Sequence, residues 1–281
     1  MIVTGSQIIA KLFSKTVIQQ LYFIFLREND MSKTICIIPA RYSSSRFPGK
    51  PLALINSKPM IQWVYDGVKE TRGIDGTYVA TDDTRIFDAV KKFGGNAIMT
   101  KVDHQSGTDR IAECVNYLGL NDDDIVLNIQ GDEPLISSSI ILDLLETLKN
   151  HDAPMGTLME KISDDNDLTN ENIVKVVTDC NGFALYFSRS PIPYIRNRIE
   201  GLTHYRHLGL YAYRVGFLKT FTAMPKSKLE AVEGLEQLRA IENGYKIKVI
   251  ETQYKTVGVD VPGQIAEVEK ALQERGIIYH E

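Results

Sequence analysis

The run Arg41-Tyr42-Ser43-Ser44-Ser45-Arg46-Phe47-Pro48-Gly49-Lys50-Pro51 places three fixed cations, three serine hydroxyls and a glycine within eleven residues. That set suits a polyanion. Arginine offers a planar fork to phosphate oxygens and lysine a mobile point charge. Gly49 lets the backbone approach a ligand closely. The spacing is neither G-x-x-x-x-G-K-[ST] nor G-x-G-x-x-G, which excludes a Walker-type ATPase and a dinucleotide-binding fingerprint. With a net charge of −4 over 281 residues the chain has no face-wide excess of Lys and Arg for nucleic acid. The local positive charge therefore points to a small anionic ligand.

Carboxylates supply the complementary chemistry. Asp132, in Asn128-Ile129-Gln130-Gly131-Asp132-Glu133-Pro134, ends an apolar run. It reads either as a Mg²⁺ ligand sharing the ion with substrate phosphates or as a turn residue. Asp260, in Gly258-Val259-Asp260-Val261-Pro262, reads first as the N-cap of a proline-started helix. Ser106-Gly107-Thr108-Asp109 fits a capped helix start, whose free amides also suit an anion. Arg189, after Tyr186-Phe187-Ser188, offers a fork for a substrate carboxylate or simply a surface ion pair. His207 and Tyr211 alternate with Leu208 and Leu210 and share one side of a predicted strand. Glu236-Gln237 alone reads as a solvated helix face, and His104 as a packing or hydrogen-bonding loop residue.

Alternating elements position these groups. Strands are expected at Thr34–Ile38, Thr77–Thr81, Asn96–Thr100 and Ile125–Gln130, with helices over Pro59–Thr71 and Gly107–Leu118. This alternation implies a parallel sheet with helices on both faces, and ligands beyond the carboxyl ends of its strands. The polar segments Arg41–Lys50, Thr81–Asp83, Asp103–Gly107 and Gln130–Pro134 all land there. Beyond about residue 150 the strand candidates are Met155–Lys161, Ile173–Thr178, Phe183–Phe187 and His207–Arg214, with Asn181-Gly182 as a hairpin turn. They imply an antiparallel extension of the same sheet. Helices around Leu229–Asn243 and Pro262–Arg275 follow, separated by a strand over Lys246–Thr252.

The three cysteines, Cys36, Cys114 and Cys180, are scattered, with no Cys-x-x-Cys pair. Neither a disulfide framework nor a zinc site is indicated, and a reducing cytoplasm fits. Residues 1–30 stand apart. Their apolar run Leu21–Leu26 is too short to span a bilayer, and no signal-peptide cleavage pattern follows it. They read as an N-terminal extension outside the fold, with 31–281 as one catalytic domain.

In order along the chain, Ile37-Ile38-Pro39-Ala40-Arg41-Tyr42, Arg46-Phe47-Pro48-Gly49-Lys50-Pro51-Leu52, Ala80-Thr81-Asp82, Asp103-His104-Gln105-Ser106-Gly107-Thr108-Asp109-Arg110 and Gln130-Gly131-Asp132-Glu133-Pro134 lead into the second half. There follow Leu185-Tyr186-Phe187-Ser188-Arg189, Arg206-His207-Leu208-Gly209, Leu235-Glu236-Gln237-Leu238-Arg239 and Gly258-Val259-Asp260. Together they resemble the bacterial 3-deoxy-manno-octulosonate (Kdo) cytidylyltransferases, also called CMP-Kdo synthetases. Two features depart from that pattern: Val257 before Gly258, and residues 1–30.

The resemblance implies an α/β, nucleotide-diphosphosugar-transferase-like (Rossmann-like) fold, a cytoplasmic homodimer joined through the antiparallel extension, and CTP, Kdo and Mg²⁺ as ligands. It implies transfer of a cytidylyl group to Kdo, activating the sugar acid for lipopolysaccharide biosynthesis. Within the domain it implies a nucleotide-binding part over 31–150 and a part for the second substrate and dimerisation over 151–281. By the same resemblance Arg41, Arg46 and Lys50 hold the triphosphate, and Ser106, Gly107 and Gln130 surround cytosine. Asp132 and Asp260 bind Mg²⁺, which displaces the cap reading of Asp260. Arg189, His207, Tyr211, Glu236 and Gln237 line the sugar-acid pocket. An 8-amino analogue of Kdo is the alternative sugar acid.

Overall fold

A computed structural model describes residues 32–43, 47–149, 153–197, 199–254 and 257–274. The expected N-terminal extension and Arg46 lie outside the described residues.

The central sheet starts with β1 (Thr34–Ala40), whose residues are buried on both sides. Ile35 and Ile37 pack into one apolar cluster, and Cys36 and Ile38 into another. That is the period-2 consequence of a strand sandwiched between two layers. β1 pairs in parallel with β4 (Gly76–Thr81) on one side and β6 (Ile125–Asn128) on the other. β5 (Ala97–Met99) extends the β4 edge in parallel. The chain thus builds outward from β1 in one direction and then crosses back to the other, making a switch point beside β1. A short ribbon, β2 (Leu54–Ile55) with β3 (Lys58–Pro59), follows the cationic loop.

Helices cover both faces. α1 (Met60–Lys69), α2 (Thr84–Lys92) and α4 (Ser138–Lys149) contribute to the cluster containing Cys36 and Ile38. α3 (Gly107–Tyr117) belongs to the opposite cluster. α2 and α4 lie outside the segments that periodicity marks as helical.

The second half joins the same sheet. β10 (Tyr205–Arg214) runs antiparallel to β6 and to β7 (Met155–Lys161), and β11 (Ile247–Glu251) lies parallel to β7. After β7 comes the short helix α5 (Asp165–Thr169). The hairpin of β8 (Lys175–Thr178) and β9 (Ala184–Ser188) turns through Gly182 at φ +75° and pairs β8 with the start of β10. The antiparallel extension is therefore continuous with the parallel strands.

α6 (Val215–Ala223) follows β10. The single helix expected over Leu229–Asn243 is two, α7 (Lys228–Glu233) and α8 (Leu238–Glu242). Gly234, left-handed at φ +65°, ends α7, and the break places Glu236-Gln237 before α8 rather than on a solvated helix face. The last helix begins as a 3₁₀ turn over Pro262–Gln264 and continues as α9 (Ile265–Glu274).

Candidate active site

The cationic loop leaves β1 and folds back on itself, with the Gly49 N–H donating to the Tyr42 carbonyl at 2.8 Å. Gly49 has φ +72°, and a Cβ there would stand 3.1 Å from the Tyr42 ring. Both facts demand glycine. The Arg85 guanidinium lies 3.3 Å over the other partner of that contact, the Tyr42 ring, while donating to the Asp83 carboxylate at the start of α2. The loop is thereby tied to the next strand end. Arg41 donates to the His104 carbonyl at 2.7 Å, linking it to the loop after β5. His104 is fixed in turn by a short contact with the Glu113 carboxylate on α3.

Lys50 meets the carboxylates. Its Nζ is 2.5 Å from Asp132 Oδ2 and 3.7 Å from Asp260 Oδ1. The two acidic segments are joined by the backbone, with the Val259 N–H donating to the Asp132 carbonyl at 2.9 Å. Asp260 is not the helix cap that the sequence first suggests. Val261 precedes the turn, and Gln264 Oε1 accepts from the backbone N–H groups of both Asp260 and Val261.

Glu133, next to Asp132, is half-buried, and its buried Oε2 has no hydrogen-bond partner. Burial, reinforced by the Asp132 charge, pushes its carboxyl up to about 8. Among the described residues no set of three His, Cys, Asp or Glu side chains forms an all-protein metal cage. Two carboxylates already converging on one cation fit Mg²⁺, which takes hard oxygens and completes its shell with phosphates and water. Asp132 and Asp260 are the residues that would hold it.

Ser106 caps α3 as expected. Its Oγ accepts from the Asp109 N–H, and the Asp109 carboxylate returns the bond to the Ser106 N–H. Gly107 begins the helix, and a Cβ there would sit 3.3 Å from Pro39 Cγ at the end of β1. Thr108 donates to Glu236 Oε2 at 2.6 Å, so α3 reaches the segment before α8. Burial raises the Glu236 carboxyl, opposed by its bond to Thr108.

A cavity of about 590 Å³ opens where β10 passes the end of β6. β6 covers Tyr211 to Arg214 of that strand, and β8 covers Tyr205 and Arg206. In the gap the register between β10 and β7 shifts, and Thr157 Oγ1 lies within 3.0 Å of the Leu208 and Leu210 carbonyls and of His207 Nε2. Gln130 Nε2 donates to the Gly209 carbonyl at 3.1 Å. Such bulges re-aim side chains beside active sites.

His207, Tyr211 and Gln237 line this cavity, as do Glu133, Asp260 and Arg206. The His207 and Tyr211 rings lie 5.4 Å apart between centroids. Burial pushes the His207 imidazole down to about 3 and raises the Tyr211 phenol, so both are neutral near pH 7. Gln237 is buried with its Nε2 unsatisfied, a donor for a ligand.

Arg189 is not among the lining residues. Its Nε donates to the Glu233 carbonyl at 2.7 Å and its Nη1 to the Glu171 carbonyl at 2.9 Å. It braces two segments, the loop before β8 and the end of α7. Glu133 and Arg206 carry no sequence reading of their own. Both stand inside segments that carry the family resemblance, beside Asp132 and His207, where no role is assigned to them.

Comparison with known proteins decides the class of chemistry. The cytidylyltransferase family profile matches residues 35–247. The chain belongs to the cytidylyltransferase family. It is 52% identical over 249 residues, covering 85% of this chain and 98% of the relative, to a 3-deoxy-manno-octulosonate cytidylyltransferase of Thermodesulfovibrio yellowstonii. It is 48% identical over 239 residues to an 8-amino-3,8-dideoxy-manno-octulosonate cytidylyltransferase of Shewanella amazonensis, covering 84% of this chain and 97% of that one. The solved structure of a CMP:2-keto-3-deoxy-manno-octonic acid synthetase complexed with CTP superposes with a TM-score of 0.82. That protein is 43% identical, with 87% of this chain and 100% of the other covered. The cytidylyltransferase fold thus agrees with the α/β sheet and its antiparallel extension.

Proposed function

We propose that this cytidylyltransferase moves the cytidylyl group of CTP onto Kdo, releasing pyrophosphate and forming CMP-Kdo for lipopolysaccharide biosynthesis. The observation that carries this reading is the junction of two sites. Lys50 bridges the cationic loop to Asp132 and Asp260, and Asp260 itself lines the cavity that holds His207, Tyr211 and Gln237. A triphosphate over the strand ends and a sugar acid in the cavity would meet at those carboxylates.

Both reactants are anions, so charge is the first obstacle. Arg41, Arg46 and Lys50 would bind the triphosphate and stabilise charge developing on pyrophosphate as it departs. Mg²⁺ held by Asp132 and Asp260 would neutralise the phosphate oxygens and orient them for in-line displacement. The anomeric hydroxyl of the sugar acid attacks the α-phosphorus. Positioning by the cavity walls supplies much of the acceleration, worth roughly 7–11 kcal/mol in favourable cases. Ser106, Gly107 and Gln130 would surround the base. Gln130 spends its donor on Gly209, which leaves its Oε1 as an acceptor suited to the amino group of cytosine. His207, Tyr211, Glu236 and Gln237 would shape the sugar pocket, with Arg189 bracing its walls.

A homodimer fits the exposed apolar side chains of Leu185 on β9 and of Tyr194 and Ile199 in the segment after it. A cytoplasmic location suits a CTP-consuming enzyme, and no helix among the described residues is long and apolar enough to cross a membrane. Residues 31–281 would form the working domain.

Pyrophosphate release with CTP or UTP, and with Kdo, its 8-amino analogue or sialate, tests the reading. CTP with Kdo should give release that UTP and sialate do not. Preference for the 8-amino sugar would move the assignment to that substrate, and silence with both octulosonates would overturn it.

A further inference from the structure

We propose that Arg206 is a substrate-binding residue of this enzyme, its guanidinium meeting the carboxylate of the sugar acid. The inference rests on the sugar-acid reading above and adds a residue to that site.

An anion entering the cavity faces Asp260 in its wall, with Asp132 adjacent and Lys50 already paired to both. Bringing a carboxylate beside carboxylates out of bulk water is unfavourable without a cation. His207 does not supply one, because burial keeps it neutral. Among the described lining residues there is one arginine, Arg206, and no lysine. Arg189, the other arginine near this region, directs its Nε and Nη1 at the Glu233 and Glu171 carbonyls.

The geometry of Arg206 suits a docked anion. It sits on β10 directly opposite Glu160 of β7. Its Nε and Nη2 both donate to one oxygen, Glu160 Oε2, at 3.0 and 2.5 Å. Glu160 is buried, whereas the Arg206 side chain retains 28% exposure. The pairing fixes the guanidinium plane without engaging Nη1, so one end of the fork is preorganised toward a second acceptor. Arg206 lies on β10 two residues before the register shift, outside the stretch that pairs with β6. The same guanidinium lies close enough to Glu133 to oppose the rise in that carboxyl.

The test compares binding of Kdo with its neutral carboxamide by titration calorimetry, at saturating Mg²⁺, alongside KM for each substrate. The wild type should prefer the acid by roughly tenfold to a hundredfold, the range of a charge-assisted hydrogen bond. Arg206→Met should abolish that preference and raise the sugar-acid KM, with the CTP KM nearly unchanged. Arg206→Lys should restore part of it. Because Arg206→Met strands a buried Glu160, the double variant R206Q/E160Q is measured in parallel as a folded, charge-neutral control. Arg189→Met should weaken acid and carboxamide alike and keep the preference. Retention of the acid preference in both Arg206 variants, or its loss in Arg189→Met alone, overturns the proposal. A wild type that turns over CTP with neither octulosonate overturns the sugar-acid reading itself.

Discussion

Lys50 shows how one side chain can connect two substrates. Its ammonium lies between Asp132 and Asp260, the two carboxylates that would hold Mg²⁺. On the proposed reading, Lys50 would turn from those carboxylates toward the phosphates of the bound nucleotide. Lys50→Ala should therefore lower kcat by about 10²–10³-fold, the range for losing one charge-stabilising donor, while circular dichroism stays unchanged. Near-normal turnover would remove Lys50 from the phosphate site. Lys50 and Asp132 were legible because loops at the ends of parallel strands can be located from strand pattern alone. Asp260 was not legible from spacing alone, since an Asp just before a proline-started helix has the same appearance whether it caps the helix or binds a metal. Only the position of Gln264, which takes over the capping bonds, separates the two. Arg206 escaped for a different reason: strand alternation places it opposite to His207, and only the gap between β6 and β8 lets one cavity reach both.

At the scale of elements, sequence patterning located β1, β4, β6, β7 and β10 closely, because each carries apolar residues fixed by burial on one or both faces. It failed at the α7–α8 break. Leu235 and Leu238 keep helical spacing through it, so periodicity hides the left-handed turn at Gly234. The break matters because it turns Glu236 toward Thr108 and buries Gln237 in the cavity wall. Packing is equally exacting between α4 and β7, where a Cβ on Gly156 would fall 1.8 Å from Thr147 Oγ1. Gly156→Ala should destabilise the fold by about 1–3 kcal/mol through overpacking, seen as a lower thermal midpoint. An unchanged midpoint would mean that α4 is free to shift.

β10 carries the pH response. His207 has a folded pKa of about 3, below its ordinary 6.5, because burial disfavours the charged ring. Between those values the unfolded chain binds the proton and the folded chain does not. The contribution is therefore present above pH 6.5 and is lost as pH falls from 6.5 toward 3. The slope is at most about 1.4 kcal/mol per pH unit for this one group. Denaturant melts of His207→Gln should show a flatter acid limb than the wild type across that window. Identical limbs would mean that His207 titrates in the folded state.

For the whole molecule, one continuous sheet carries both halves of the proposed reaction. The parallel strands present the loops proposed for the nucleotide, and the antiparallel β10 carries residues of the cavity beside them. That division was visible in the sequence as a change from helix-rich alternation to closely spaced strands. The register shift that opens the cavity was not, because Gly209-Leu210 reads as ordinary strand. The exposed Tyr194 and Ile199 belong to this scale too. Light scattering should give the mass of two chains, and Ile199→Asp should shift it toward one; a wild-type monomer would contradict the dimer.

The most direct measurement is a crystal structure of the enzyme with Mg²⁺ and CTP. The triphosphate should lie against Arg41 and Lys50, the ion on Asp132 and Asp260, and the α-phosphorus should face the cavity of His207 and Tyr211. A nucleotide bound away from the carboxyl ends of β1, β4 and β6, or an ion that neither aspartate touches, would contradict the account.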